Sequence, residues 1–510
     1  MYLFDCLYGK IEFDRKVYKC MLTPEFQRLR EVRLCNINSL FITGSANINR
    51  FEHSVGTAYL AEQYCLMHQD EFLNKKQSET FVLAALLHDL ANGPFGHSYE
   101  YICEKQNGFV PEQSIGAVIN KSTTGSHGKS SMLEPIYFGA MNQLIDCLSN
   151  DEIEAIDKIV SGKDVALSKL ICNSIDLDNI DNVFRMAYHM GIPFSHDAPI
   201  KLISLMHCHD GKVLFSHDAL PFLYEWYFTR EKMYKLLLLN PQEFSGKYML
   251  TEAMDIVLDN NPYLIRWNFS DYELMRTLED VKESWINQKI IIDLSATFIR
   301  DNIDDCDAIV NYFLKHQVKI YKNYKIYDGE SPQSFIIKSN NMEFLVEANM
   351  VFKIIRVNTN VSQIISRLMT GDLYYCVDII RTRNIEKYTD FLDFFQRAQI
   401  EDSLKKKICK ETNLPNSIHL GLHPILDKDK TNRVLHIQMI NGEQVTIGKS
   451  SRQLLIGVFI KNPQYGLSHM KNLQEDKLVA LKETIHHFFN EYFHDIIQSN
   501  DLYSEVDDIE

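Results

Sequence analysis

The stretch "ETFVLAALLHDL", residues 79–90, constrains this chain more than any other. Its apolar residues run without interruption from Phe81 to Leu87. A helix built from them has no polar face and therefore lies inside a core. The same helix delivers His88 and Asp89 at its end. A carboxylate carried there needs a partner, because burying it alone is prohibitively costly. A Gly-Pro turn follows, with Asn92 before it and His97 after it.

Around this anchor the first 310 residues read as mostly helical. "PEFQRLREVRLC" predicts a helix opened by Pro24. "RFEHSVGTAYLAEQYCLMHQ" sets Phe51, Val55, Ala58 and Tyr59 at helical spacing. "DEIEAIDKIVSG" and "LSKLICNSIDLDNIDNVFRMAYHMGI" predict two more helices, the second closed by Gly191 and Pro193. "LPFLYEWYFTREKMYKLLLL" and "GKYMLTEAMDIVL" continue the pattern, and residues 121–131 form a Gly/Ser/Thr/Lys loop. Later the texture changes to short β-branched or aromatic runs, "VKIYKNYKIYD", "SFIIKS", "RVLHIQMI" and "QLLIGVFI", with an Asn-Gly hairpin at Asn441-Gly442. Helical stretches "KYTDFLDFFQRAQIEDSLKKKICKE" and "KLVALKETIHHFFNEYFHDII" lie among them. The expected fold is mostly α, with a helical lobe over residues 1–310 and a smaller α+β lobe over 311–510. A chain of 510 residues is too long for one core, which agrees with that division.

Charge and cysteine usage narrow the functional classes. A net charge of −15 argues against extended nucleic acid as a partner but leaves room for a local basic pocket that holds a small anion. Eleven cysteines without a C-x-x-C pair read as reduced thiols. The start "MYLFDCLYGKIEFDRK" lacks an apolar leader, and no run approaches the roughly 18 apolar residues that span a bilayer. The expectation is a cytoplasmic protein with no membrane partner.

The chemistry resides in histidines and carboxylates drawn from separate helices: His53, the pair His88-Asp89, and Asp178. Two imidazoles and two carboxylates can converge on one divalent transition metal, with Mn, Fe or Zn accepting such mixed ligation. Such an ion activates water for attack on phosphorus. Arg50 precedes His53 by one helical turn and would hold a phosphate in bidentate fashion. Singly, a histidine or a His-Asp pair is more often structural than ligating, so spacing alone leaves the site open.

The motifs "PEFQRLR", "NRFEHSVGTAYLA", "LLHDLANGPFGHSYE" and "SIDLDNIDNVFRMAYHMGI", with "FTR" at 228–230, follow one another as they do in the HD-domain phosphohydrolases. The chain resembles the deoxynucleoside triphosphate triphosphohydrolase branch of that family in its compact bacterial form. The strong match covers residues 15–260, and a weaker one reaches "GVFIKNPQ". The resemblance implies that His53, His88, Asp89 and Asp178 ligate the metal, with Asp176 an alternative for the fourth. It further implies that Arg50 and Arg230 hold substrate phosphates, that His97 supports the catalytic network, and that Mg accompanies the nucleotide. The reaction implied is release of deoxynucleoside and triphosphate. Homo-oligomers, a tetramer favoured, and activation or inhibition by bound nucleotide are also implied.

The chain departs from the family pattern at informative places. Asn92 stands where relatives carry a histidine that contacts phosphate, and an amide cannot shuttle a proton near neutral pH. In "FVPEQ" the family's further histidine is replaced by Pro111, while Glu112 is retained; His97 or His127 could stand in as acid. Asn179, Asn182 and Met186 occupy the positions that touch phosphate and deoxyribose in relatives, so substrate choice should differ. Gln27, Arg30 and Lys461 match a regulatory nucleotide site, although Leu22 and Asn240-Pro241 replace other residues of that site. Beside the leading reading stand two others: a catalytically silent nucleotide sensor, and a phosphodiesterase or nuclease acting on an oligonucleotide or cyclic nucleotide.

Overall fold

The computed structural model describes residues 2–34, 48–96, 99, 144–260, 264–265, 269–281, 290–291, 324–328, 334–339, 342–347, 355–356, 361–431, 433–450, 452–465 and 475–497. The described chain is mostly helical with small sheets, as the periodicity predicts. It opens with a hairpin of β1 (Leu3–Asp5) and β2 (Gly9–Ile11), then α1 (Arg15–Met21) and α2 (Pro24–Gln27). The expected long helix from Pro24 does not form. Residues Arg28–Glu31 tighten into a 3-10 turn, and Val32 turns extended because Leu34 N–H donates to Ile48 and Arg50 N–H donates to Val32. That pairing lays the chain against the start of α3 (Arg50–Met67).

Helix α3 is capped by Asn49, whose side chain accepts from Glu52 N–H. Helix α4 (Lys75–Leu87) is capped by Asn74, and its residues from Phe81 to Leu87 are all buried. Next come α5 (Asn150–Val160), opened by a Ser149/Glu152 capping box, and α6 (Leu177–Met190). The sequence places a helix from Leu167, but α6 begins only after Asp176, whose carboxylate caps it. Gly191 ends α6 at φ 71°, the left-handed conformation expected there. Then follow α7 (Ala198–Ser204), the hairpin β3 (Met206–His209) and β4 (Lys212–Phe215), α8 (Leu220–Leu239), α9 (Pro241–Asn260) and α10 (Asp271–Glu279). Asn240 caps α9 through its side-chain oxygen, which with Pro241 separates α8 from α9.

Of the following segment, β5 (Ile290–Ile291) pairs with β9 (Ile355–Arg356), and β6 (Tyr324–Asp328), β7 (Ser334–Ser339) and β8 (Met342–Glu347) form a meander. After α11 (Val361–Met369) comes β10 (Tyr375–Thr382). The predicted helix from Lys387 is split at Asp393 into α12 (Tyr388–Leu392) and α13 (Phe394–Thr412), because Asp393 turns extended and caps the second piece. Then follow β11 (Leu420–Asp427), β12 (Leu435–Gln438), β13 (Gln444–Ile447), β14 (Gln453–Ile460) and α14 (Glu475–Phe493).

Strand β14 lies between β10 and β11, antiparallel to both. Its uninterrupted apolar sequence reflects burial on two faces. Leu454, Ile456, Val458 and Ile460 enter a core with α13 and α14, while Leu455 and Phe459 enter the main core. Phe459 meets Phe244 of α9 at 5.9 Å between ring centroids. The helical elements and the later sheet therefore share one core, and a cavity opens where they meet. Among the described residues no helix is long and apolar enough to cross a membrane.

Candidate metal centre

Three helix ends build the centre. The Asn49 cap turns Arg50 and His53 inward on the first turn of α3, where they are 4% and 1% exposed. The end of α4 supplies His88 and Asp89, and the first turn of α6 supplies Asp178. His88 Nδ1–H donates to the Ala85 carbonyl at 2.8 Å, so its Nε2 lone pair points inward. That Nε2 is buried and makes no hydrogen bond. His53 is aimed in the same way, with Nδ1 held by Asp181 at 2.8 Å and Nε2 2.9 Å from Asp178 Oδ1. His88 Nε2 is 3.7 Å from that same oxygen.

The donor atoms of His53, His88 and Asp178 all lie within 4.8 Å of one another. Two imidazoles with committed second nitrogens, an orphaned Nε2 and a carboxylate fit a divalent transition metal. Asp89 stands beside this trio rather than within it. Its oxygens are 3.7 and 3.9 Å from His88 Nε2 and His53 Nε2, and both are already engaged. Arg50 Nη1 donates to Oδ2 at 2.7 Å and Asn92 Nδ2 donates to Oδ1 at 2.6 Å. Of the two aspartates in "DLD", Asp178 meets the histidines, while Asp176 caps α6 by accepting from Asn179 N–H and Nδ2.

The electrostatics follow from crowding. Burial pulls His53 down, but hydrogen bonds to Asp178 and Asp181 prevail and raise it to about 10. Burial pushes Asp178 up, yet the His53 hydrogen bond and the neighbouring His88 imidazole hold it well below the usual carboxylate range. Asp176 is pushed up to about 8 by burial and then by repulsion from Asp178. A cation held by the trio would take the place of the proton that the carboxylates draw onto the imidazoles.

These residues open onto a cavity of about 440 Å³ that Asn179, Asn182, Met186 and Arg230 also line. Arg230 is buried, donates to the Lys430 carbonyl at 2.9 Å and lies over Tyr234 at 4.6 Å. Asn182 Oδ1 is buried with no hydrogen-bond partner. Asn92 is fully buried and spends its amide on Asp89. His97 and Glu112, with Pro111, His127 and the 121–131 loop, lie outside the described residues. Of the residues matched to a regulatory site, Arg30 Nε donates to Gln27 Oε1 at 2.9 Å, whereas Lys461 is ion-paired with Glu252.

Sequence reasoning missed four cations on the cavity wall: Lys247, Lys428, Lys430 and Arg433. Lys247 comes from α9 and the other three from the β11–β12 loop. Asp427, fully buried, shapes that loop by accepting from Lys430 N–H at 2.6 Å and from the Thr431 hydroxyl. The alternating "DKDK" of this turn was the available signal.

Residues 50–159 match the HD domain family. The protein MG461 of Mycoplasma genitalium is 27% identical over 383 residues, which cover 66% of this chain and 85% of that protein. The deoxynucleoside triphosphate triphosphohydrolase SAMHD1 homolog of Dictyostelium discoideum is 25% identical over 301 residues, 55% of each chain. The chain thus spans about half the length of that relative. The crystal structure of a phosphohydrolase from Bacteroides thetaiotaomicron superposes over 90% of this chain and 99% of its own, with a TM-score of 0.51 at 13% identity, a likeness of fold. Fold and site together define an HD domain with a His–His–Asp cluster that could hold a metal. Residues 50–159 are thus an HD domain, and over a longer stretch the chain is similar to a protein named as a deoxynucleoside triphosphate triphosphohydrolase.

Proposed function

We propose that this chain hydrolyses a deoxynucleoside triphosphate to deoxynucleoside and triphosphate. The observation that carries the proposal is one cavity in which His53, His88 and Asp178 adjoin six cations: Arg50, Arg230, Lys247, Lys428, Lys430 and Arg433. In a chain of net charge −15 such a concentration of positive charge fits a compact polyanion. The Dictyostelium relative bears the name of this activity, which supports the same substrate class.

A divalent cation at the trio would offset phosphate charge and activate water. The chain's own residues position the substrate. Asp181 and the Ala85 carbonyl hold the two imidazoles in one tautomer and one orientation. Arg50 and Asn92 clamp Asp89, so this carboxylate keeps a fixed place beside the reacting phosphate. Arg230 and the cations of the β11–β12 loop, which line the same cavity, bind phosphate oxygens. The buried Asn182 Oδ1 is placed to accept from a sugar hydroxyl. Nucleotide regulation and homo-oligomeric assembly belong to the same proposal, and control of nucleotide pools or phage defence would be served by it.

The test is turnover, with added Mn, Fe or Zn and Mg, of the four deoxynucleoside and four ribonucleoside triphosphates, singly and in pairs. Released triphosphate is expected, with none from His88→Ala/Asp89→Ala protein. Activity only in pairs identifies a nucleotide switch. Pyrophosphate or phosphate as sole product overturns the proposed reaction. Saturable binding without product favours the sensor reading, which the commitment of Asn92 to Asp89 supports. In that case Asn92→His with Pro111→His should restore turnover.

A further inference from the structure

A second cluster of metal-ligating side chains lies away from the cavity, where the end of α3 meets the β3–β4 hairpin. His68 caps the C-terminus of α3, Glu71 closes the short 3-10 turn after it, and His207 sits on β3. None of the three lines the catalytic cavity.

The hydrogen bonds settle how these groups face one another. His68 Nε2 is 3.0 Å from the Ile203 carbonyl oxygen. A carbonyl only accepts, so Nε2 carries the proton and, in the neutral ring, Nδ1 presents a lone pair. That lone pair faces the Glu71 carboxylate, with Oε1 3.5 Å away. His207 Nδ1 approaches the same oxygen at 3.1 Å. The other carboxylate oxygen is satisfied separately, by the Tyr64 hydroxyl and by Cys208 N–H at 3.0 Å. Tyr64 and Cys208 therefore aim Glu71 at both imidazoles, as the Ile203 carbonyl aims His68. The same device orients His53 and His88 in the catalytic centre.

His68 is only 4% exposed, so bulk water does not relieve the apposition of its lone pair with a carboxylate. A cation between the groups would relieve it. The three donor atoms all lie within 4.8 Å of one another. Tetrahedral ligands around an ion with bonds of about 2.0–2.1 Å lie about 3.3 Å apart, close to the two distances to Glu71. Two imidazole nitrogens and one carboxylate oxygen make a zinc-type donor set. The His207 side chain is 35% exposed, which leaves an entry path and room for water as a fourth ligand.

We propose that His68, Glu71 and His207 bind a second divalent transition-metal ion of the zinc class, which clamps the β3–β4 hairpin to the end of α3. The clamp extends further. Phe215 of β4 bridges to Met439 just beyond β12, and Ile440 N–H donates to the Phe215 carbonyl at 3.0 Å. The ion would thus help to hold the later hairpin in place.

The test is total transition metal per chain by mass spectrometry, on full-length protein without a histidine tag, loaded with zinc and desalted. Unmodified protein should hold two ions, His207→Gln one, and His88→Ala/Asp89→Ala one. The triple variant should hold none. Cobalt loading of His88→Ala/Asp89→Ala should give a visible absorption band that His207→Gln removes. Metal content unchanged by His207→Gln would overturn the second site. Should His207→Gln fail to fold, His88→Ala/Asp89→Ala decides alone, since one retained ion supports the site and none overturns it. Neither outcome depends on the catalytic proposal, because no turnover is read.

Discussion

His53 is 1% exposed and meets a carboxylate at each ring nitrogen, Asp178 at 2.9 Å and Asp181 at 2.8 Å. The two carboxylates have different work. Asp178 belongs to the donor trio, whereas Asp181 also accepts from Arg185 Nε at 2.9 Å and does not line the cavity. Asp181 therefore sets the orientation and basicity of His53 from behind. Asp181→Asn should weaken metal binding about 10–100-fold, read by competition with a chromophoric chelator. Unchanged affinity would mean that Asp181 serves Arg185 alone. Folding should survive, because Arg185 keeps its bonds to Asp5 and Glu52. The histidines, Asp178 and Arg50 were legible as motif residues. The engagement of Asp89 by Arg50 and Asn92 was not, since a side chain's partner is a property of packing rather than of spacing.

Among the elements, the crossing of α3 on α6 decides whether the centre forms. Gly56 of α3 lies against Asp181 and Arg185, and a Cβ there would overlap Asp181 Oδ1 and Arg185 Nη2. Gly56→Ala should cost about 1–3 kcal/mol in chemical denaturation, with loss of bound metal. A stability equal to the unmodified protein would show that α6 can shift without consequence. Helices α3 and α4 and strands β7 and β14 were legible, because their apolar periods or runs are long. The β3–β4 hairpin was not foreseen, although Asp210-Gly211 marks its turn. Its residues "MHCHDGKVLF" carry too little apolar alternation to announce a strand pair. The failed extension of α2 has a different cause, the pairing of Val32–Leu34 with residues 48–50.

For the whole molecule, the proposed function rests on a cavity walled by residues of α3, α6, α8, α9, the end of α4 and the β11–β12 loop. Burial and the neighbouring Lys430 bring Lys247 down to about 8. A bound polyphosphate favours the charged amine and raises that value, so binding near pH 8 takes up a proton. Nucleotide affinity should accordingly fall as the pH rises above 8, and calorimetry in buffers of different ionisation enthalpy should detect the uptake. Lys247→Met should abolish it, and equal uptake in both proteins would remove Lys247 from the anion site. By itself the sequence determined the buried α4, the His-Asp pair at its end, the Gly191 close of α6, and the metal-capable residues. Each of these depends on neighbours within a turn or two of the same chain segment. Only the tertiary structure decided that Arg50 engages Asp89, which loop brings Lys428, Lys430 and Arg433 to the cavity, and that His68 and His207 share one carboxylate. Those contacts join segments far apart in the chain, and their geometry comes from how helices and strands pack, which no local pattern encodes.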